Sequence, residues 1–264
     1  MDAPPPCNLE APFTAPATIM GLTTTNPMQF GGHLSADSLR IYITRGVPGT
    51  GDQALFMGTR ATPSDGFFTI APLSIENIGN MPMAWPMLSE DELTIYFQTT
   101  STIMTSTRAG MNDMFPAPRM MTELGTSGAG MTPRVSRDGL TLHFARIAAG
   151  NANLFVSTRA ATDQPFGAGT LIAELSSDDY EEAPVVSDDG LEVFFARVPG
   201  RAAGSMLRAT RASVSDPFGA PTAVAELGTG TLSPSWLAPD RCTLLYTKLD
   251  GAAPQIYLAQ RPGF

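Results

Sequence analysis

Basic charge is scarce in this chain. Sixteen lysines and arginines stand against twenty-five aspartates and glutamates, a formal net charge of −9. A surface of that sign excludes the sequence-independent hold on phosphate that nucleic-acid binding needs. Lys248 is the only lysine, and no function is read from that bias. Histidine is limited to His33 and His143, which fall in different repeats and are placed as core or channel residues, out of reach of a shared triad. No stretch approaches the roughly 18 consecutive apolar residues of a membrane-spanning helix. The opening MDAPPPCNLEAPF has neither the basic nor the apolar region of a secretory signal. No G-x-S-x-G, H-E-x-x-H, P-loop or dinucleotide-binding pattern occurs in a fitting context.

What the chain has in quantity is turn-forming residues. Gly (25) and Pro (23) are spread throughout, alongside 43% apolar and 16% charged residues. That composition describes a globular chain of many short strands. A unit of about 50 residues recurs. Its clearest copies are PRVSRDGLTLHFAR (133–146) and PVVSDDGLEVFFAR (184–197), with weaker ones at 32–45, 86–99 and 236–248. Asp37, Asp91, Asp138, Asp189 and Asp240 mark them at spacings of 54, 47, 51 and 51 residues. Each copy predicts a strand, an Asp-centred turn and a second strand with alternating large apolar residues. A third strand ends in Thr-Arg or its degenerate form, at Arg60, Arg108, Arg159, Arg211 and Arg261. A fourth follows a Phe, as in PFGAPTAVAEL (217–227).

The fifth copy ends before any fourth strand, and PFTAPATIMGL (12–22) matches the missing piece. A repeat divided between the termini implies a closed ring, which leaves no open sheet edge between first and last units. The expected fold is therefore all-β, a five-bladed β-propeller of four-stranded antiparallel blades over residues 1–264. The blades span about 30–77, 84–124, 132–175, 183–227 and 233–262, the last completed by 12–22. Cys242 begins the second strand of blade five and Cys7 precedes that blade's outer strand. Both then lie on one face of one blade. A disulfide there places the protein in an oxidising compartment, periplasmic or extracellular; the alternative is two unpaired thiols. Cys7 also stands where a lipoprotein carries its lipidated cysteine, although PPPC lacks the small apolar residues such a site wants.

The pattern P-x-x-S-x-D-G-L-x-[IVL]-x-F, followed by a strand of the LFVSTR type, resembles the WD40-like PD40 propeller repeat of TolB-type periplasmic proteins and bacterial surface lipoproteins. Residues 133–159 and 184–211 match best. The resemblance implies the fold and an envelope or extracellular location, and little about ligand. The six blades of TolB and the Arg241 in place of a turn glycine depart from the pattern.

Alternating strands put the five aspartates and five arginines on one face, as a charged docking surface or as architecture, each Asp capping its turn and pairing with an Arg of its own or the next blade. By analogy with other propellers, the ligand is expected on the opposite face, where loops enter the inner strands. The candidates there are Met28, Met83, Trp85 and Met131 as an adaptable apolar surface, with Tyr180, Glu181 and Glu182 from SDDYEEAP. The competing role for the apolar group is packing between blades. Asp178 and Asp179 of the same loop are weak Ca²⁺ candidates, against a simple solvated loop; no EF-hand spacing is present and no other cofactor is expected. A glycosidase needs two facing carboxylates, and the entering segments 25–31, 79–85, 126–132 and 228–233 contain none. The sequence thus leads to a non-enzymatic binding or scaffold propeller, most simply a monomer, for a glycan, peptide or envelope protein. The alternatives are an arabinanase-like glycosidase and a purely structural module.

Overall fold

The computed structural model describes residues 7–22, 28–47, 52–79, 81–100, 102–125, 130–148, 150–201, 203–249 and 253–263. The opening residues before Cys7 and part of the loop entering blade three lie outside them. Among the described residues no helix is long and apolar enough to cross a membrane.

Twenty strands form five separate four-stranded antiparallel sheets. Blade one comprises Gln29–Leu34, Arg40–Gly46, Gln53–Thr59 and Thr69–Pro72. Blade two comprises Ala84–Leu88, Thr94–Gln98, Ile103–Thr107 and Arg119–Met120. Blade three runs through Gly130–Val135, Thr141–Ala148, Asn151–Thr158 and Thr170–Leu171. Blade four runs through Tyr180–Val186, Glu192–Val198, Ser205–Thr210 and Thr222–Ala223. In blade five the inner three strands are Thr231–Leu237, Thr243–Leu249 and Pro254–Gln260, and the outer one is Ala17–Thr18 from the N-terminal segment. The fold is the five-bladed propeller.

The core is divided into five layers, each between neighbouring blades. Tyr42, Leu55, Ile95 and Phe97 fill the space between blades one and two. Phe13, Phe194, Leu244 and Tyr246 do the same between blades four and five. Alternation along each second strand sends large residues into both neighbouring layers, which is why those strands carry almost continuous apolar runs.

The Ser-x-Asp turn is built the same way in four blades. The Ser35 hydroxyl donates to Asp37 Oδ1 (2.6 Å), which also accepts the Leu39 N–H (3.0 Å). Asp91, Asp138 and Asp189 repeat both contacts, and Asp240 accepts the Cys242 N–H. The residue after each Asp has positive φ. It is Gly139 and Gly190 in two blades, but Ser38, Glu92 and Arg241 in the others. Glu92 uses that position to reach into blade one, where it accepts from the Tyr42 hydroxyl (2.5 Å) and forms an ion pair with Arg40 (2.7 Å).

The repeat arginines do not pair with the turn aspartates. Each guanidinium instead donates to a carbonyl within its own blade's hairpin turn: Ser38, Glu92, Gly139, Gly190 and Arg241 accept from Arg60, Arg108, Arg159, Arg211 and Arg261. The first four also lie over the ring of the Phe that follows them, Phe67, Phe115, Phe166 and Phe218, at 4.3–4.5 Å. A guanidinium has more donors than one carboxylate can take, and two carbonyl-lined turns plus a π face use its plane fully. The ion pairs of Asp37 and Asp189 are made by Arg40 and Arg241.

Ring closure uses this same module. Arg261 stands 4.7 Å over Phe13, so the N-terminal segment supplies blade five with its Phe as well as its outer strand. The Phe13 N–H donates to Glu226 Oε1 (3.2 Å), as the Phe218 N–H does to Glu174 Oε1 (3.1 Å) one blade earlier. Arg261 also donates to Oε1 of the buried Glu192 of blade four (2.6 Å), and Arg208 donates to the same oxygen. A disulfide joins Cys7 to Cys242 with Cα atoms 5.6 Å apart across 235 residues, and Asn8 N–H donates to Pro262 O (2.9 Å) beside it.

Two tests follow from this closure. Glu192 is 1% exposed and neutralises two arginines, so Glu192→Gln strands buried positive charge and is expected to cost about 3–5 kcal/mol in chemical denaturation. Cys242→Ser removes a cross-link over a very long loop and is expected to cost up to about 5 kcal/mol. Hydrogen exchange in that variant should rise first in Pro254–Gln260; uniform protection across blades would contradict the assigned closure.

Candidate functional site

Every inner strand carries one extra residue, not blade five alone as the sequence suggests. The register shifts between Phe30 and His33, Ala84 and Met87, Met131 and Arg134, Glu182 and Val185, and Pro234 and Trp236. In blades one to four the bulge places a residue at positive φ: Gly31, Trp85, Thr132 and Ala183. Its freed N–H turns to the preceding blade. Gly31 donates to Thr247 Oγ1, Trp85 to Thr44 Oγ1, Thr132 to Gln98 Oε1 and Ala183 to Thr132 Oγ1, each at 3.0 Å. Blade five closes the series from its side chain, the Ser233 hydroxyl donating to Glu182 Oε1 (3.4 Å). A girdle of hydrogen bonds thus runs around the channel.

The bulge also divides the channel. Beyond it, towards the hairpin turns, His33, Met87, Arg134, Val185 and Trp236 stand at one level, one per blade, and line a cavity of 630 Å³ that extends between blades three and four past His143. Volumes of this order suit small ligands. The cavity therefore lies at the end of the channel opposite to the expected one.

None of the residues put forward for binding from sequence lines it. Met83 is buried between blades one and two, with Met131 packed between three and four. The Met28 sulfur lies 3.5 Å from Gln53 Nε2. Trp85 packs against Phe30 with the rings tilted by 58°, and lies 5.8 Å beneath the Arg134 guanidinium. These side chains are held by inter-blade packing, the competing role that the sequence left open for them. Tyr180 donates to Gly150 O (2.7 Å). Glu181 is fully buried in an ion pair with Arg197 (2.8 Å) and accepts from Ser177. Asp178 and Asp179 stand beside it, and among the described residues no group of three or more His, Cys, Asp or Glu converges as a metal site.

Electrostatics differ sharply between the floor and mouth of the cavity. On the floor, Arg134 is 5% exposed. Its Nη1 donates to the Pro133 carbonyl (2.7 Å), while Nε and Nη2 have no hydrogen-bond partner among the described residues. Burial pulls its pKa down to about 9. Burial, and then the nearby Arg134 charge, pulls His33 down to about 3, and its Nδ1 also lacks a partner. His143, paired across the strands with Arg134, is lowered to about 4 by burial and by Arg211. At the mouth, Arg137 reaches Glu90 at 2.6 Å and Asp188 at 3.8 Å, and Asp138 and Asp189 line the same rim, Asp189 paired with Arg241. Burial and the neighbouring carboxylates raise the pKa of Asp188 despite Arg137. On the far side of the bulge, burial raises that of Glu182.

Arg134 was visible in PRVSRDGL as an arginine where the other repeats carry His33, Met87, Val185 and Trp236. Its partnerless state depends on all five blades and has no local signal.

The sequence matches no family model and no curated protein. Solved structures resemble it in fold. TolB from Acinetobacter baumannii superposes with a TM-score of 0.59 at 13% identity, covering 92% of this chain and 57% of that one. An α-L-arabinofuranosidase from Podospora anserina, solved with cellotriose, gives 0.65 at 13% identity over 97% of both chains. The catalytic domain of a GH62 α-L-arabinofuranosidase from Coprinopsis cinerea gives 0.63 at 14%, over 97% and 98%. The chain spans little more than half the length of that TolB.

The two histidines give stability a defined pH dependence. Both are neutral when folded and titrate near 6.5 when exposed. The unfolded chain therefore binds more protons between about pH 6.5 and 4, and stability falls as pH drops through that window. Glu182 acts oppositely, its raised pKa costing stability as pH rises above 4.5. Thermal midpoints measured from pH 7 to 4 should decline, and the double substitution His33→Gln, His143→Gln should flatten that decline.

Proposed function

We propose that this protein is a non-enzymatic, monomeric ligand-binding propeller of the WD40-like PD40 type. It works outside the cytoplasm, in the periplasm or beyond, and takes a glycan or peptide, free or carried on an envelope protein, into the channel from the hairpin-turn face. The observation that carries this reading is the 630 Å³ cavity, lined at one level by five different side chains from five otherwise repetitive blades. The Cys7–Cys242 bond supports an oxidising compartment. It also occupies the sulfur that lipidation of Cys7 would need, so an anchor through that atom is excluded while the disulfide stands.

A glycosidase reading has one observation in its favour. Glu182 is a channel carboxylate with a raised pKa, the character of a general acid. Against it, Glu182 sits on the far side of the bulge and its described hydrogen-bond partner is Ser233, not a second carboxylate.

A thermal-shift screen with neutral and acidic oligosaccharides and short peptides separates the two, run beside an assay with aryl arabinofuranosides. Binding without turnover is expected, unchanged by Glu182→Gln. Turnover abolished by Glu182→Gln would replace the binding reading with the enzymatic one.

A further inference from the structure

The floor of the cavity presents an unusual combination. Arg134, His33 and Ser235 are 5%, 7% and 0% exposed, and all three line the cavity. Four of their polar atoms, Arg134 Nε and Nη2, His33 Nδ1 and Ser235 Oγ, have no partner among the described residues. The other buried arginines are neutralised, as Arg261 is by Glu192, spread over turn carbonyls and a ring, as Arg108 is, or given one carbonyl and two rings, as Arg146 is with Phe155 at 4.1 Å. Arg134 has one carbonyl, its own neighbour's, and a Trp85 face at 5.8 Å. A buried guanidinium left this way is costly unless something anionic meets it. Its two free donors lie on one edge of the fork, the edge that grips a planar carboxylate through two parallel bonds. Ser235 adds a third donor, and His33 a fourth when its Nδ1 carries the proton.

The mouth sets a limit on the ligand. Glu90, Asp138, Asp188 and Asp189 stand there with Arg137 and Arg211, and Arg241 holds Asp189; four carboxylates against three guanidinium groups leave the mouth slightly negative, which disfavours a polyanion on its way to the floor. A cationic or hydroxyl-rich body would be accepted.

From these features we infer that the cavity is a receptor for a single carboxylate, seated on Arg134 and carried by an otherwise neutral or cationic ligand. This rests on the reading that the cavity is the ligand site, and it names the group that is recognised. Two sources share the chemistry: the C-terminus of a peptide and a uronic acid.

The test pairs each acid with its neutral counterpart in calorimetric titrations of the whole chain. The probes are a lysine-ending tripeptide and its C-terminal amide, glucuronic acid and glucose, and citrate as a polyanion. One or both monocarboxylates should bind about ten- to a hundredfold more tightly than the neutral partner, and citrate more weakly than either. The source is identified by which pair shows the difference. Arg134→Met should erase it without lowering the thermal midpoint of the ligand-free protein, since an unpaired buried charge is removed. Arg134→Gln provides the same reading if Met perturbs packing. Binding of the carboxylate should also raise the His33 pKa, followed by imidazole NMR. Equal affinity of acid and neutral partner, or a difference that persists in Arg134→Met and Arg134→Gln, overturns the carboxylate assignment while leaving the cavity as a binding site. Binding of none of the probes, together with no response in the oligosaccharide and peptide screen, overturns both.

Discussion

A ring of sheets holds only if its two ends lock, and here the lock is the seat that Phe13 takes beneath Arg261. Four other arginines lie over four other phenylalanines in the same way, each with its remaining donors on turn carbonyls. The module is cheap in residues, because one guanidinium satisfies a hairpin, a loop and an aromatic edge together. At the closing blade it has an added duty. Arg261 also meets Glu192, and the Phe13 N–H meets Glu226, so the N-terminal segment is tied to blade four as well as to its own blade. The disulfide reinforces a junction that the repeat chemistry has already made.

Repetition and individuality are separated along each inner strand. The bulge and its N–H form a girdle that is nearly the same in four blades, with Thr or Gln as the partner, and Ser233 completes it to Glu182. Two residues on, the same position holds His33, Met87, Arg134, Val185 and Trp236. Val185, Met87 and Trp236 also pack into or against the layers between blades, so the polar departures at this position are His33 and Arg134. Varying one position per blade beyond the girdle is how near-identical blades come to line one channel with different side chains.

The fold was readable because its determinants are local and recur. Asp-centred turns, Thr-Arg strand ends and the Phe before each outer strand appear in linear order, and the split fifth copy implied closure. Cys7 and Cys242 could be paired from their places in that blade. The roles of the recurring arginines were less accessible: Asp and Arg share a face, yet the guanidinium prefers carbonyls and a ring, which only the packed turn presents. The site was hidden for a further reason. Met83 and Trp85 look like an apolar mouth in sequence, but Met83 is buried in the layer between blades one and two, and Trp85, at the bulge, lies against Phe30 and beneath Arg134. Arg134 could be noticed as an odd residue in its repeat, whereas the lack of a partner for it is a property of the assembled ring.

The path of the chain has a consequence for how the protein is made. Ala17–Thr18 is synthesised long before its partner strand Pro254–Gln260, with four whole blades between them. Blades one to four can each form from neighbouring sequence, while the fifth joins strands far apart in the chain and must wait for Pro254–Gln260. Until then the early segment has no edge to join and blade four leaves an apolar flank uncovered. That interval, not the finished ring, is when the nascent protein is most exposed to misassembly.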